Sequence, residues 1–172
     1  MTRMRAPWFT LPGHDDGCDP YTLYTTTVTV TGGEACDGRE SGIVRSDDGE
    51  LLLELRRPLA LGGAGGGTNP EQLFAAGYAA CFHGALSMLA ARAGLRIVDA
   101  SVAVTVRFNR DPADGLYVLM ADTRISLPGV ERTLAEQLVR DTERYCPYAK
   151  MARRGIANLV ALATSGEAGA AR

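Results

Sequence analysis

The chain contains 172 residues, of which 46% are hydrophobic and 22% charged, the composition of an ordinary globular protein of one domain. Its 18 basic and 20 acidic residues leave a formal net charge of −2, so the sequence offers no basic surface for nucleic acid or for an anionic membrane. We therefore expect neither nucleic acid nor a membrane among its partners.

The N-terminal segment does not resemble a secretory signal. Arg3 and Arg5 are followed by no apolar stretch, because Pro7, Pro12 and Gly13 interrupt it. No apolar run approaches the roughly 18–20 residues that a membrane span needs. The four cysteines are accordingly expected to be reduced thiols in the cytoplasm rather than a disulfide framework.

Composition divides the chain into three parts. Residues 1–20 form a polar arm, interrupted by proline and glycine, whose order the sequence does not define. Residues 165–172 are small and polar and predict a flexible tail. The interval 21–164 carries the periodic patterns and is the expected domain.

The first part of this domain is predicted to be β-structure. Residues 24–31 are rich in threonine and valine, and residues 43–46 and 51–55 predict two further strands joined by a turn at Asp48 and Gly49. A glycine-rich loop over residues 62–67 then leads to a helix.

The pattern changes to helical spacing over residues 70–93. Almost every face of this helix is small or apolar, so we expect it to be buried rather than amphipathic. Its start has proline at the first helical position, and a capping box is available between Thr68 and Glu71.

The remaining elements predict a second sheet and more helix. Residues 101–108 alternate strictly between apolar and polar side chains, and a loop leads to a strand over 116–127. A helix is predicted at about 130–145, a short helical piece after Pro147, and a last strand over 156–163. Because strands and helices come in groups rather than in strict alternation, the fold class is α+β with antiparallel sheet.

Two of the cysteines lie in regular elements of the domain. Cys81 is in the middle of the long helix, and Cys146 precedes Pro147 at the end of the second helix. Taken singly, each residue has an ordinary structural explanation, since free cysteine is commonly a small buried hydrophobe. Arg39 is explained equally well as a solvated turn residue, and Glu71 as part of a helix cap.

Longer stretches of the sequence resemble one family. Residues 69–82 (NPEQLFAAGYAACF), residues 61–69 (LGGAGGGTN), the Gly38–Arg39 turn and the Cys146–Pro147–Tyr148 segment resemble the organic hydroperoxide resistance proteins, a branch of the OsmC/Ohr family. The likeness runs from about residue 21 to 164. The OsmC branch is matched less well, because it lacks the EQLFAAGY run.

This resemblance implies a fold, an activity and a set of site residues. The fold is the OsmC-like fold, with antiparallel sheets around a long buried central helix and a second helix, assembled as an intertwined homodimer. Cys81 is implied as the peroxidatic thiol and Cys146 as the resolving thiol. Arg39 and Glu71 are implied as the polar pair that activates Cys81.

The implied roles agree with thiol chemistry. A thiolate attacks a peroxide, and an unperturbed cysteine with a pKa of about 8.5 is mostly protonated at neutral pH. The guanidinium of Arg39 could lower that pKa by about 1–3 units. Glu71 opposes the thiolate by like-charge repulsion, so its contribution would be to fix the Arg39 side chain with two hydrogen bonds.

Helix geometry restricts how these residues can meet. Glu71 and Cys81 are ten residues apart, which on one unbroken helix separates them by roughly 15 Å along the axis. Either the helix is interrupted, for example near Gly77, or the site combines residues of two chains. We favour the second arrangement, which the resemblance also implies.

The implied cycle needs neither metal nor flavin, and we predict no cofactor. Cys81 becomes a sulfenic acid, and Cys146 condenses with it to a disulfide. The resemblance further implies that a dihydrolipoyl group on a protein reduces this disulfide. Apolar neighbours such as Phe82, Leu86, Met88 and Tyr148 favour an organic or lipid hydroperoxide over hydrogen peroxide.

Several other features are given structural explanations. The 62–67 loop lacks the lysine of a phosphate-binding loop, and Cys18, Cys36 and His14 have no common zinc spacing, so they are expected to be free surface groups. His83 lies about 160° around the helix from Cys81 and is not expected to be a base.

Two questions remain open at this stage. The turn after Arg39 departs from the family pattern, so Arg45 is an alternative as the activating arginine. An OsmC-type peroxidase of broader peroxide use and a non-catalytic dimer that senses redox state or binds a hydrophobic ligand are the alternative functions.

Overall fold

The structure is a computed structural model and describes residues 22–33 and 41–162. Predictions that concern Arg39, Cys18, Cys36 and His14 therefore lie outside the described residues, as do those on most of the N-terminal arm and on the C-terminal tail. The elements that are described confirm a mixed α+β fold with antiparallel sheets.

The first sheet has three short antiparallel strands in the order β1–β2–β3. They are β1 (Val28–Thr31), β2 (Gly42–Ser46) and β3 (Leu52–Leu55). Val30 lies opposite Val44 and Val44 opposite Leu53, so these apolar side chains share one face. The predicted turn between β2 and β3 is confirmed, with Gly49 at a positive φ of 80°.

The loop after β3 leads through a short 3-10 helix (Leu59–Leu61) to α1 (Pro70–Arg92), one continuous helix of 23 residues. Asn69, not Thr68, caps it: the Asn69 side chain accepts a hydrogen bond of 2.9 Å from the backbone N–H of Gln72. The predicted capping box is therefore wrong. Proline at position 70 keeps Asn69 extended, and Thr68 already forms a bridge to Leu55 at the end of β3.

The second sheet is a long hairpin. The strands β4 (Ser101–Arg110) and β5 (Tyr117–Ser126) pair in register over their whole length, from Ser101 opposite Ser126 to Arg110 opposite Tyr117. The strict alternation predicted for β4 is seen in its burial, since alternate residues face the helices. The predicted strand over 116–127 is confirmed to within one residue at each end.

Two helices follow the hairpin. They are α2 (Arg132–Tyr145) and α3 (Pro147–Arg154), and Cys146 is the single residue between them. Glu131 caps α2 by accepting from the N–H groups of Thr133 and Leu134, which lowers the pKa of its carboxyl.

The predicted last strand is wrong for the residues that the structure describes. Residues 155–162 have no regular structure, and their apolar side chains are open to solvent: Leu159 is 91% exposed and Leu162 96%. The segment is apolar as a strand would require, but a strand is stable only when its backbone groups pair with a neighbour. No strand among the described residues of this chain pairs with it.

The core lies between α1, the β4–β5 hairpin, α2 and α3, whereas the strands of the first sheet pack mainly on one another. The prediction that α1 is buried holds for one face only. Tyr78, Phe82 and Leu86 are buried, but Ala76 and Ala80 are exposed. The expectation that no apolar run approaches the length of a membrane span is wrong, because α1 is long and apolar enough to cross a membrane by length and composition. One such helix is weak evidence of a span, since the core helix of a globular protein passes the same test.

Candidate active site

Cys81 lies on the face of α1 that packs against α3. Phe74, Tyr78 and Cys81 follow one another at intervals of four and three residues, which brings them onto one side of the helix. Cys81 is half-buried, so its sulfur touches both the protein core and the surface.

Cys146 reaches the same place from the junction of α2 and α3. A proline at position 147 ends α2 because it has no N–H for the helical hydrogen bond and it disfavours helical backbone at the residue before it. Cys146 is extended at ψ 121° and fully buried. The chain turns here, and its side chain points into the cluster formed by Tyr78, Phe82 and Ala149.

The structure brings the two cysteines together. Their Sγ atoms lie 3.4 Å apart although the residues are 65 positions apart in sequence. Both are free thiols, since a disulfide bond measures about 2.05 Å. A shortening of the order of 1.4 Å would join them.

Aromatic rings surround this pair. The rings of Phe74, Tyr78 and Tyr148 have their centroids 6.0–6.5 Å from one another. Gly77 permits this arrangement, because a Cβ at that position would lie only 3.0 Å from the Tyr148 Oη. The sulfurs therefore lie beside an apolar, aromatic wall.

The described surroundings favour the protonated form of Cys81. Burial raises the pKa of the Cys81 thiol, the backbone N–H of Tyr148 lowers it, and the Cys146 sulfur raises it again, with a raised pKa as the net result. The lowering has a clear cause, because Tyr148 is in the first turn of α3, where N–H groups have no partner within the helix. A thiolate at neutral pH needs a further positive group.

The structure does not bring Glu71 to Cys81. Glu71 is in the first turn of α1, and the helix runs without interruption past Gly77 to Cys81 and beyond. Ten residues of continuous helix separate them by roughly 15 Å along the axis. An interrupted helix, one of the two arrangements considered from the sequence, is therefore excluded.

Arg39 lies outside the described residues, so its placement stays a prediction. The alternative, Arg45, is on β2 and exposed, opposite Thr29 and Leu52. This puts it on the face of the first sheet away from Val44.

Other sequence predictions can be compared with the structure. His83 is exposed, as expected for a residue without a part in the site. Of the predicted apolar neighbours, Phe82 and Tyr148 belong to the cluster around Cys146, but Leu86 belongs to a second cluster farther along α1. Within residues 22–33 and 41–162 there is no group of three or more potential metal ligands.

Sequence analysis missed Phe74 and Tyr78 as parts of the site. Their spacing from Cys81, seven and three residues, was a usable signal because it places all three on one face of a helix. It also missed the ion pair between Glu143 and Arg153, which joins α2 to α3 next to Cys146.

The fold and the site together define a class: an α+β protein whose long central helix presents one thiol to a second, buried thiol at van der Waals distance. The model of the family described as OsmC-like protein matches residues 63–158, more than half of the chain. The chain therefore belongs to the OsmC-like family. Relatives that are 37–42% identical over 78% of this chain are named organic hydroperoxide resistance proteins, which places it in that branch.

Individual relatives support this assignment. The chain is 42% identical over 136 residues to the organic hydroperoxide resistance protein of Xanthomonas axonopodis pv. citri (strain 306), which covers 78% of this chain and 90% of the relative. Two solved structures are also similar. An organic hydroperoxide resistance protein from Legionella pneumophila is 38% identical, with a TM-score of 0.69 over 78% of this chain and 93% of the other. The protein OhrB of Bacillus subtilis is 37% identical, with a TM-score of 0.66 over 77% of this chain and 93% of the other.

Proposed function

We propose that the protein is a cysteine-based peroxidase that reduces organic hydroperoxides to alcohols. The observation that carries this proposal is the 3.4 Å separation of the Cys81 and Cys146 sulfurs in a chain of this family. Relatives are named for resistance to organic hydroperoxides, which gives the substrate class.

The exposure of the two thiols supports the assignment of roles. Cys81 is half-buried and can be reached by a peroxide, whereas Cys146 is fully buried and can be reached only by Cys81. The Cys81 thiolate attacks the terminal peroxide oxygen and breaks the O–O bond. The sulfur becomes a sulfenic acid, and the alkoxide takes a proton and leaves as an alcohol.

The second step closes the disulfide. The Cys146 sulfur attacks the Cys81 sulfur, and the sulfenic oxygen leaves as water with the thiol proton. A dithiol, for which we propose a dihydrolipoyl group on a protein, then reduces the disulfide and is itself oxidised to the cyclic disulfide. The cytoplasm, where such thiols stay reduced, is the proposed location.

The aromatic wall supports an organic substrate. Phe74, Tyr78 and Tyr148 offer apolar surface beside the reactive sulfur and can bury the carbon chain of a hydroperoxide, which hydrogen peroxide lacks. This observation favours the organic hydroperoxide reductase over a peroxidase of broader use.

We further propose that the active protein is a homodimer with composite sites, in which Arg39 and Glu71 act on a Cys81 of the other chain. Two observations support it. The unbroken α1 keeps Glu71 far from the Cys81 of its own chain. In addition, the first sheet leaves Val28 and Val30 about half exposed, and residues 155–162 lie open to solvent, which is apolar surface suited to a second copy.

The direct test is intact-mass analysis with peptide mapping after the reduced protein receives one equivalent of tert-butyl hydroperoxide. We expect a loss of two hydrogens and a peptide pair joined through Cys81 and Cys146. Turnover with a dithiol should be faster for the organic peroxide than for hydrogen peroxide. A single stoichiometric oxidation without turnover would instead support a redox sensor.

A further inference from the structure

The break between α2 and α3 leaves a specific backbone group without its helical partner. In a continuing helix the N–H of residue 147 would donate to the carbonyl oxygen of Glu143. Residue 147 is proline, which has no N–H. The Glu143 oxygen therefore needs another donor at the end of α2.

Arg153, six residues beyond Pro147 and near the end of α3, supplies that donor. Its Nη2 donates to the Glu143 backbone oxygen at 3.0 Å, and its Nη1 donates to the Glu143 Oε1 at 2.7 Å. One guanidinium thus caps the C-terminus of α2, where a positive charge is favourable, and also binds the side chain of the same residue.

The junction that this arginine spans is the one that carries Cys146. The Cys146 N–H donates to the Thr142 oxygen of α2 at 2.8 Å, and the Cys146 oxygen accepts from the Lys150 N–H of α3 at 3.0 Å. The backbone of Cys146 is thus tied to both helices, and the direction of its sulfur depends on the angle between them.

We propose that Arg153 is a positioning residue that fixes this angle and so holds the Cys146 sulfur against Cys81. This inference rests on the proposed function, in which Cys146 closes the disulfide. The hydrogen bonds of the Arg153 side chain go to Glu143 and not to either sulfur, so its removal should slow closure of the disulfide but not the first attack of Cys81 on the peroxide.

The test compares four variants with the wild-type protein in single turnover. Arg153→Met removes the cap, Arg153→Lys keeps the charge but not the two-pronged donor, and Glu143→Gln keeps the backbone oxygen as an acceptor. Arg154→Met, a neighbouring arginine outside the cap, is the control. The rates of sulfenic acid formation and of disulfide formation are measured separately, with a sulfenic acid trapping reagent and with acid quenching.

For Arg153→Met we expect disulfide formation to slow by roughly 10–100-fold, since a misplacement of about 1 Å has effects of this size. Sulfenic acid formation should stay within about twofold of wild type, and more sulfinic acid should accumulate at high peroxide. The effect should be smaller for Arg153→Lys and smallest for Glu143→Gln, with Arg154→Met equal to wild type.

Disulfide formation at the wild-type rate in a folded Arg153→Met protein would overturn the proposal, as would an equal slowing of both steps. If that variant does not fold, the rates of sulfenic acid formation and of disulfide formation in Arg153→Lys and Glu143→Gln test the proposal in the same way. Equilibration with glutathione buffers measures how readily the Cys81–Cys146 disulfide forms without any peroxide, and so tests this proposal separately from the proposed function. If the disulfide of the Arg153 variants is reduced more easily than that of wild type, the positioning role is supported even if the wild-type Cys81 does not react with hydroperoxide.

Discussion

The two sheets of this chain differ in how they are supported. The β4–β5 hairpin packs on α1 and shares its core with α2 and α3, and Cys81 and Cys146 both lie in that part of the molecule. The first sheet has short strands that pack mainly on one another, with Val28 and Val30 about half exposed. A three-stranded sheet that the described residues cover so little is marginal by itself. The difference supports the proposed homodimer. The first region, called the complete region below, holds the two sulfurs within one chain, whereas the first sheet, the incomplete region, would be covered by a second copy.

The complete region should carry the sulfur chemistry, and removing either thiol should have the largest effect. Cys81→Ser should reduce peroxide consumption to the uncatalysed background, because serine forms no comparable nucleophile at neutral pH. Cys146→Ser should consume one equivalent and stop at a sulfenic acid, detected by mass. Normal turnover by Cys81→Ser would show that the site lies elsewhere.

A charge placed on the apolar face of the incomplete region should weaken the dimer. Val30→Asp should raise the dissociation constant of the dimer by roughly 100-fold or more, since an unpaired charge buried in an interface costs about 3 kcal/mol or more. Activity should fall in parallel if the sites are composite. Sedimentation equilibrium measures the association.

Thr29→Asp is the matched control for this change, because Thr29 lies one residue away on β1 and therefore on the opposite face of the sheet. It should leave the dimer intact. A wild-type protein that is a fully active monomer would contradict the composite site.

The pKa of Cys81 tests whether the second copy contributes a positive group to the site. Its described surroundings raise that pKa, so the thiolate at neutral pH must depend on a positive group, for which we propose Arg39 of the second copy. Arg39→Met should shift the apparent pKa of Cys81 further upward, so that the reaction at pH 7 slows and recovers as pH rises.

Alkylation of Cys81 by iodoacetamide, followed from pH 5 to 10 in a Cys146→Ser background, measures this shift. Arg45→Met serves as the comparison, since Arg45 is the alternative arginine. An unchanged profile in Arg39→Met together with a shifted one in Arg45→Met would transfer the role to Arg45.

The smallest expected effect concerns the start of α1, where the two regions meet. Asn69→Ala removes the side-chain cap and should lower the free energy of unfolding by about 1 kcal/mol. That corresponds to about 2–4 °C in the melting temperature for a chain of this size. Asn69→Asp keeps an acceptor oxygen and should melt close to wild type.

Local patterns were sufficient to predict most of the elements. Alternation predicted β4, the strand expected after the next loop matches β5 to within one residue at each end, and the apolar helical pattern predicted α1 with its end placed one residue too late. The segment 156–163 shows why such patterns can mislead. Its apolar composition describes a capacity to pair, but pairing depends on a neighbouring strand, and no described strand of this chain pairs with it.

The site was predictable only in part, for a similar reason. The resemblance pointed to Cys81 and Cys146, but the distance between them depends on the turn after α2 and on the packing of α3 against α1. The cap of α2 by Arg153 could not be read from spacing, because a side chain ten residues away meets Glu143 only after proline has turned the chain.

The unequal exposure of the two sulfurs gives the reduction half of the proposed cycle a direction. Cys146 is completely enclosed by its own chain. In the proposed cycle an incoming thiolate would therefore collide with only one side of the bridge, and the mixed disulfide would form on the helix residue. The interior sulfur would be the leaving group, and the reductant would be released from the same position at which peroxide arrives.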